Sequence, residues 1–287
     1  MNPREQGFLL LSSHLGDPAR KVLSDARLRN LAARVQTMPR PTEDRELTVE
    51  DLVQIGYDPV DAGHIVTLLS QEEQLKWYLS KAEKLGCRVL TRANPDYPVR
   101  LRRALNNDAT GCIWYKGDIS LLQRPCISLV GSRDLRPPNE AFAKEVGEQA
   151  ARQGFVLISG NARGADRAAQ DACLSHGGCV ISVVADQLHK YKPYKNVLFI
   201  SEDDFDLPFS SQRALHRNRV IHALGSKVFV AQSTSGSGGT WSGTIQNLKN
   251  GWSPVFCYDD ASDGAQALMK RGATGIGFSP LENLTVL

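Results

Sequence analysis

The chain has 287 residues, enough for one large domain or two modest ones. Hydrophobic residues make up 41% and charged residues 23%, ordinary for a globular protein, and the net charge of +3 permits nucleic-acid binding without arguing for it. No apolar run reaches membrane-spanning length and the N-terminus lacks a signal-peptide pattern, so the expectation is a cytoplasmic protein with no membrane partner.

Residues 8–37 are predicted helical, with Leu9, Leu10 and Leu11 followed by Val22, Leu23, Leu28, Leu31 and Val35 at three-to-four spacing. The polar, Pro-interrupted stretch 38–45 predicts a loop. Thr48, with Asp51 three residues on, predicts a capped short helix, followed by a turn over 54–59. Residues 60–85 continue helical, with Ile65, Leu68, Leu69, Leu75, Tyr78 and Leu79 as the apolar stripe. Residues 1–85 are therefore expected to form a small all-α module of the SAM or helix-hairpin-helix kind. Such modules touch DNA backbones or other proteins, or serve packing alone.

Residues 86–287 are expected to form the second domain. Cys87–Leu90 predicts a strand, 94–98 a turn, Val99–Leu105 a short helix, and 113–118 a strand ending in a tight turn. From 126 onward strands near 126–131, 155–159, 179–184, 197–200, 227–232 and 254–258 alternate with helices near 139–153, 165–176, 211–224, 239–249 and 262–271. This alternation predicts an α/β fold with a Rossmann-like, doubly wound, mostly parallel sheet. The continuous apolar runs Val180–Val184 and Val228–Ala231 suit strands covered on both faces, apart from Ser182. The six cysteines form no C-x-x-C pair and no zinc-ligand spacing, and are expected to pack in the core.

Three small-residue turns follow strands and open helices. They are Gly131-Ser132-Arg133, the run from Ser159 and Gly160 through Ala162, Arg163 and Gly164 to Asp166, and Ser235-Gly236-Ser237-Gly238-Gly239-Thr240. Such turns let backbone N–H groups approach an anion, a helix N-terminus adds positive potential, and arginine supplies a fork matched to phosphate. Each alone could be an ordinary βα turn; together, at one sheet edge, they suggest phosphate binding. Asp166 is expected to cap the helix that follows it. The G-x-G-x-x-G spacing is absent, which disfavours an NAD enzyme. Lys190, Lys192 and Lys195 interleave with Tyr191 and Tyr194, a pattern that suits phosphates and stacked bases or a solvated loop. Arg213 and Arg217 are expected on one helix face, with Arg219 close by, and His216 reads as a helix-face residue. The acidic run Glu202-Asp203-Asp204 reads as a solvated loop, and neither a metal nor a cofactor is expected.

Read in order, these residues resemble the DNA-processing protein A (DprA/Smf) family. The resemblance runs through Tyr97-Pro98 and Leu101, Trp114–Asp118 with Leu121-Leu122, Arg124-Pro125, Val130–Arg133, Ser159–Asp166, and Arg217-Asn218-Arg219 with Ile221, and covers roughly 50–280. It implies an N-terminal helical module and an extended Rossmann-like domain that binds single-stranded DNA. It also implies a homodimer that protects DNA in natural transformation and loads a RecA-type recombinase. The family's Gly-Ser-Arg turn places Gly131, Ser132 and Arg133 on the DNA backbone, and its DNA-contacting lysine corresponds to Lys192 or Lys195. There are departures. Ala165 and Gln170 stand where the family usually has Ile and His. The loop 235–240 drifts toward that of related nucleotide-binding and phosphoribohydrolase proteins, yet no carboxylate follows Thr240, which argues against hydrolysis. The sequence ends at Leu287, so the C-terminal winged-helix module of many members is expected to be lacking.

The reading is thus a non-enzymatic single-stranded DNA-binding protein. Its expected contacts are Gly131, Ser132, Arg133, Gly160, Arg163, Lys192, Lys195, Arg217, Arg219, Ser235, Gly236, Ser237, Gly239 and Thr240, with Asn218 structural. The alternative is a small-nucleotide sensor, for example in a defence system, using the same cradle.

Overall fold

The computed structural model describes residues 1–39 and 46–287; the loop predicted at 38–45 falls outside them except for its first two residues. The chain divides into two compact units, Met1–Tyr97 with Thr110–Ile113, and Pro98–Ala109 with Trp114–Leu287.

The first unit is built from helices α1 (Pro3–Ser12), α2 (Asp25–Val35), α3 (Val49–Gln54), α4 (Pro59–Leu69) and α5 (Glu72–Lys84), followed by strand β1 (Arg88–Thr91). Two predicted helices are each broken. The helix expected over 8–37 ends at Ser12, because Leu15 and Gly16 take positive φ values of 51° and 82° and Asp17-Pro18 follows. The helix expected over 60–85 is interrupted at Ser70 and Gln71. The cap at Thr48 is as predicted, with Asp51 N–H donating to the Thr48 hydroxyl and Thr48 N–H to the Asp51 carboxylate. Leu11, Leu23, Leu28, Leu31, Leu52, Ile65 and Leu68 form the apolar core of these helices.

The second unit carries α6 (Val99–Leu105) and the strands β2 (Cys112–Lys116, whose first two residues cluster with the first unit), β3 (Cys126–Val130), β4 (Val156–Ser159), β5 (Cys179–Val183), β6 (Val197–Ser201), β7 (Val228–Val230), β8 (Val255–Tyr258) and β9 (Thr274–Ile276). Within the second unit the sheet order is β2-β6-β5-β4-β3-β7-β8-β9. Every pair from β6 through β9 is parallel, and β2 runs antiparallel to β6, so the sheet is mostly parallel, as predicted. β9 was not predicted: three residues with a central glycine give no apolar run. Helices α7 (Pro137–Arg152), α8 (Ala165–Ser175), α11 (Gly238–Asn250) and α12 (Asp263–Met269) join the parallel strands. All residues of β3, β4 and β7 are buried, which explains their apolar character apart from Ser128 and Ser159. Helices α7 and α8 approach closely at Gly147, where a Cβ would lie 2.1 Å from the Ala169 carbonyl oxygen. The helix predicted at 211–224 is two short ones, α9 (Ser211–His216) and α10 (Asn218–Leu224), meeting at Arg217.

The chain winds outward from β3 to β4, β5 and β6, then returns to place β7 on the other side of β3. The winding direction therefore reverses between β3 and β7. Open α/β sheets leave a crevice at the carboxyl ends of the strands at such a reversal.

Candidate functional site

Because β3 lies between β4 and β7, the loops that follow these three strands meet at one sheet edge although they are far apart in sequence. The first interlocks with the other two through backbone bonds. Ser132 N–H donates to Gln232 O at 3.0 Å, and Ala165 N–H to Ser132 O at 3.1 Å. Gly164 has φ +82°, and a Cβ there would lie 2.4 Å from Arg133 O and 2.5 Å from Ser132 O. A Cβ on Gly131 would lie 2.4 Å from the Ala165 Cβ. Ala165, one of the departures from the family pattern, is thus the residue against which Gly131 fits. The turn holds Arg133 exposed, and among the described residues no ion pair engages its guanidinium.

The second loop folds around Asp166. This residue does not cap α8 as predicted; Gly164 occupies the N-cap position without a side-chain bond. Instead Asp166 reaches back and accepts from Gly160 N–H and Ala162 N–H, each at 3.1 Å. Burial raises its pKa, opposed by the nearby charge of Arg217 and by these two N–H groups. Arg217 is 7% exposed and donates from Nη2 to Gly160 O at 2.8 Å, while its Nε and Nη1 have no hydrogen-bond partner. A Cβ on Gly160 would sit 1.7 Å from Arg217 Nη1, so the guanidinium occupies space that only glycine leaves. Arg163 is exposed and ion-paired with Asp134 at 2.8 Å, and it lines the hollow beside Gly160 and Arg217 described below.

The third loop opens α11. Its N-cap, Ser237, makes no side-chain cap bond, so the first-turn N–H groups are unclaimed by a cap. Asn218 Nδ2 donates to Gly239 O at 3.1 Å and ties α10 to this turn, the structural role expected for it. Between the three loops lies a groove of about 430 Å³ lined by Gly131–Arg133, Arg217, Ser237, Gly239 and Thr240, with Asp166 as the carboxylate among its lining residues. Ser235 and Gly236 are exposed on the same loop.

Arg219 is not brought to this groove. It is buried, donating to Glu202 Oε2 at 2.6 Å and to the Asp108 carbonyl. Glu202 also bonds His216 Nδ1 at 3.0 Å, and Asp203 pairs with Arg213 at 2.7 Å. The segment predicted as a solvated acidic loop is therefore a clamp in which the Glu202 and Asp203 carboxylates are occupied by basic residues of α9 and α10. Burial works against the Glu202 carboxylate, but the His216 bond and the Arg219 charge hold its pKa below the usual value. The same bond raises the pKa of His216. Arg213 and Arg217 consequently do not present one basic face.

A second hollow shares Arg133, Ala162 and Arg217 with the first and adds Gly160, Asn161, Asp186, Tyr191 and Phe209. Tyr191 stacks on Phe199 with centroids 4.7 Å apart and donates to Asp186 at 2.8 Å; burial and that carboxylate push its phenol up to about 12. Asn161 leads on to a third hollow with Arg167, Lys192 and Tyr194. Lys195 is exposed on the same loop. The first two hollows follow the strand ends from β7 through β3 and β4 toward β5, and the third runs along α8 toward the start of β6. Phe209 (55% exposed) and Leu215 (52%) border the path and were not anticipated. Their signal in the sequence was the segment Leu207-Pro208-Phe209, which sets an aromatic residue after a helix breaker.

Residues 88–281 match the family described as DNA recombination-mediator protein A, and the chain belongs to this family. DNA processing protein DprA of Streptococcus pneumoniae is 31% identical over 179 residues, 58% of this chain and 63% of that protein. The chain thus covers less than two thirds of that relative's length. DNA processing protein DprA of Bacillus subtilis is 24% identical over 246 residues, 80% of this chain and 82% of its own. The crystal structure of the Streptococcus pneumoniae protein superposes with a TM-score of 0.72 at 24% identity, covering 96% of this chain and 95% of that one. A Helicobacter pylori DNA processing protein A structure, concerned with that protein's single-stranded DNA binding mode, gives 0.59 at 23% identity over 70% of this chain and 95% of its own. These likenesses show the fold.

Proposed function

We propose that this protein binds single-stranded DNA from the groove at Arg217 and Arg133, on the carboxyl edge of its sheet, along α8 to Lys192 and Tyr194, and catalyses no reaction on it. The observation that carries the reading is the run of linked hollows in which cationic groups alternate with aromatic faces. Cations neutralise phosphates, and aromatic rings accept any base, so the binding is salt-sensitive and nearly sequence-independent. Binding rather than chemistry suits the carboxylates present. Asp166 is engaged by two backbone N–H groups, and Asp186 accepts from Tyr191. Family membership supports a role in DNA processing and recombination during transformation, with a second copy of the chain and a RecA-type recombinase as partners.

The test is fluorescence anisotropy of a labelled dT oligonucleotide and of a duplex of equal length. The single strand is expected to bind more tightly, and Arg133→Ala to weaken it roughly tenfold, about one charge-assisted contact. Equal binding of wild type and variant would remove the Gly131–Arg133 turn from the interface.

A further inference from the structure

The hollow beside Tyr191 brings together a carboxylate, an exposed aromatic ring and guanidinium groups. The carboxylate is that of Asp186, just past β5. Its Oδ1 accepts from the Tyr191 hydroxyl at 2.8 Å, and the Asn161 side chain bonds the same hydroxyl. Tyr191 is itself fixed by its stack on Phe199. The carboxylate is therefore oriented, yet among the described residues no hydrogen bond or ion pair engages its Oδ2. An ionised carboxylate accepts at both oxygens and donates nothing, so acceptor positions remain for a ligand.

The ring is that of Phe209, more than half exposed, and the chain leading to it is held. Arg213 donates from Nη1 to Leu207 O at 3.0 Å and to Pro208 O, and from Nε to Asp203 at 2.7 Å. Arg213 lies outside the lining of the hollow and acts on it by setting the two residues before Phe209. A fixed, exposed ring suits the face of a base. Together these groups divide a nucleotide between them. Arg133 and Arg163, both exposed, favour the phosphate, whereas a carboxylate repels it and accepts an N–H edge instead. Unpaired bases offer their Watson–Crick edges to such groups. Guanine presents N1–H and its N2 amine side by side, two donors matched to the two oxygens of a carboxylate. Adenine and cytosine set an amine beside an acceptor nitrogen, and thymine sets one N–H between two carbonyls, which a carboxylate repels.

We propose that this hollow is a base subsite that prefers guanine, stacked on Phe209 with its N1–H and N2 amine donating to Asp186. The inference rests on the single-stranded DNA reading above and gives that binding one selective position on an otherwise sequence-tolerant path. Guanine is the shared chemistry of a strand and a free nucleotide. The volume of about 350 Å³ suits one base.

The experiment uses the full chain and end-labelled dT oligonucleotides of one length whose central nucleotide is dT, dG, deoxyinosine, dA or dC. Unlabelled dGMP and dTMP serve as ligands in a thermal-shift assay. The dG strand is expected to bind about tenfold more tightly than the all-dT strand. The deoxyinosine strand, which lacks only the N2 amine, should fall between them and tests the contact without a variant; deoxyinosine equal to dG overturns the paired contact. In Asp186→Asn the dG-to-dT ratio should fall toward one while all-dT affinity is kept or rises, because a negative charge leaves the path. General damage to the fold would weaken both strands alike. A dG preference that survives Asp186→Asn overturns the assignment to Asp186, and unchanged binding in Phe209→Ala overturns the stacking. Equal affinity for all strands overturns the subsite and leaves the DNA reading standing. Stabilisation by dGMP and not by dTMP, with no oligonucleotide bound, supports the subsite as a nucleotide site and overturns the DNA reading. No response to any of these probes overturns both.

Discussion

Gly164→Ala is expected to damage stability and binding together, for two separable reasons. The residue sits at φ +82° and ψ −128°, a sparsely populated conformation open to glycine that costs a residue with a Cβ about 1–3 kcal/mol. Its Cβ would also fall 2.4 Å from Arg133 O and 2.5 Å from Ser132 O. Those are backbone atoms, held by the bond from Ala165 N–H to Ser132 O, so they cannot rotate aside as a side-chain tip would. Relieving such an overlap typically costs about 1–3 kcal/mol more. Gly154 supplies the control, because it has φ +76° and nothing within 4 Å of its notional Cβ. Gly154→Ala should therefore cost about 1–2 kcal/mol and Gly164→Ala about 2–6 kcal/mol. The gain from restricting the unfolded chain is similar for both substitutions and cancels in the comparison. Urea unfolding of the two variants measures the difference. Because the displaced atoms carry the Ser132–Arg133 turn, the Gly164 variant should also bind single-stranded DNA more weakly than the Gly154 variant. A Gly164→Ala protein no less stable than Gly154→Ala would refute the interlocked-loop account.

Further expectations concern the buried polar groups. Asp166→Ala leaves Gly160 and Ala162 N–H without their acceptor and should cost roughly 1–3 kcal/mol for each, with faster amide exchange at both residues; unchanged protection there would contradict the role given to the carboxyl. Glu202→Gln strands Arg219 in the interior and should destabilise by about 3–5 kcal/mol, while the His216 pKa moves down toward its ordinary value in an NMR titration. His222 is held neutral by burial with its pKa pulled down to about 3. The unfolded chain takes up that proton first, so this residue loses stability as pH falls from about 6.5 toward 3, by up to about 1.4 kcal/mol per pH unit. His216, whose pKa is raised, acts in the opposite sense: its contribution is present below the unfolded pKa and is lost as pH rises through the folded one. His222→Asn keeps an acceptor for Asn247 Nδ2 and should flatten the wild-type slope between pH 6 and 4; a slope equal to wild type would sink the assignment.

The sheet was legible because β3, β4, β5 and β7 are buried on both faces, and burial leaves an unmistakable apolar run. Helix interruptions were less so. Leu15-Gly16 and Ser70-Gln71 stop helices whose apolar spacing reads on through them, since periodicity reports the buried face and not the path between helices. The glycine turns could be named as anion cradles from sequence, but their convergence depends on β7 returning beside β3, a pairing local spacing does not encode. Charged residues were the hardest. Arg217 and Arg219 are two positions apart on adjoining helical turns, yet one lines the groove and the other is buried against Glu202. Glu202 and Asp203 looked solvated because nothing local marks their partners, Arg213, His216 and Arg219.

The central claim, a phosphate-tracking edge for single strands, is tested most directly by the salt dependence of binding. The affinity of wild type and Arg133→Ala for a dT oligonucleotide should be measured across a series of salt concentrations. Log affinity should fall linearly with log salt, losing about 0.7 in slope for each phosphate contact, and Arg133→Ala should be shallower by about that amount. Affinity that is flat with salt, or no binding at the lowest salt, would contradict the account.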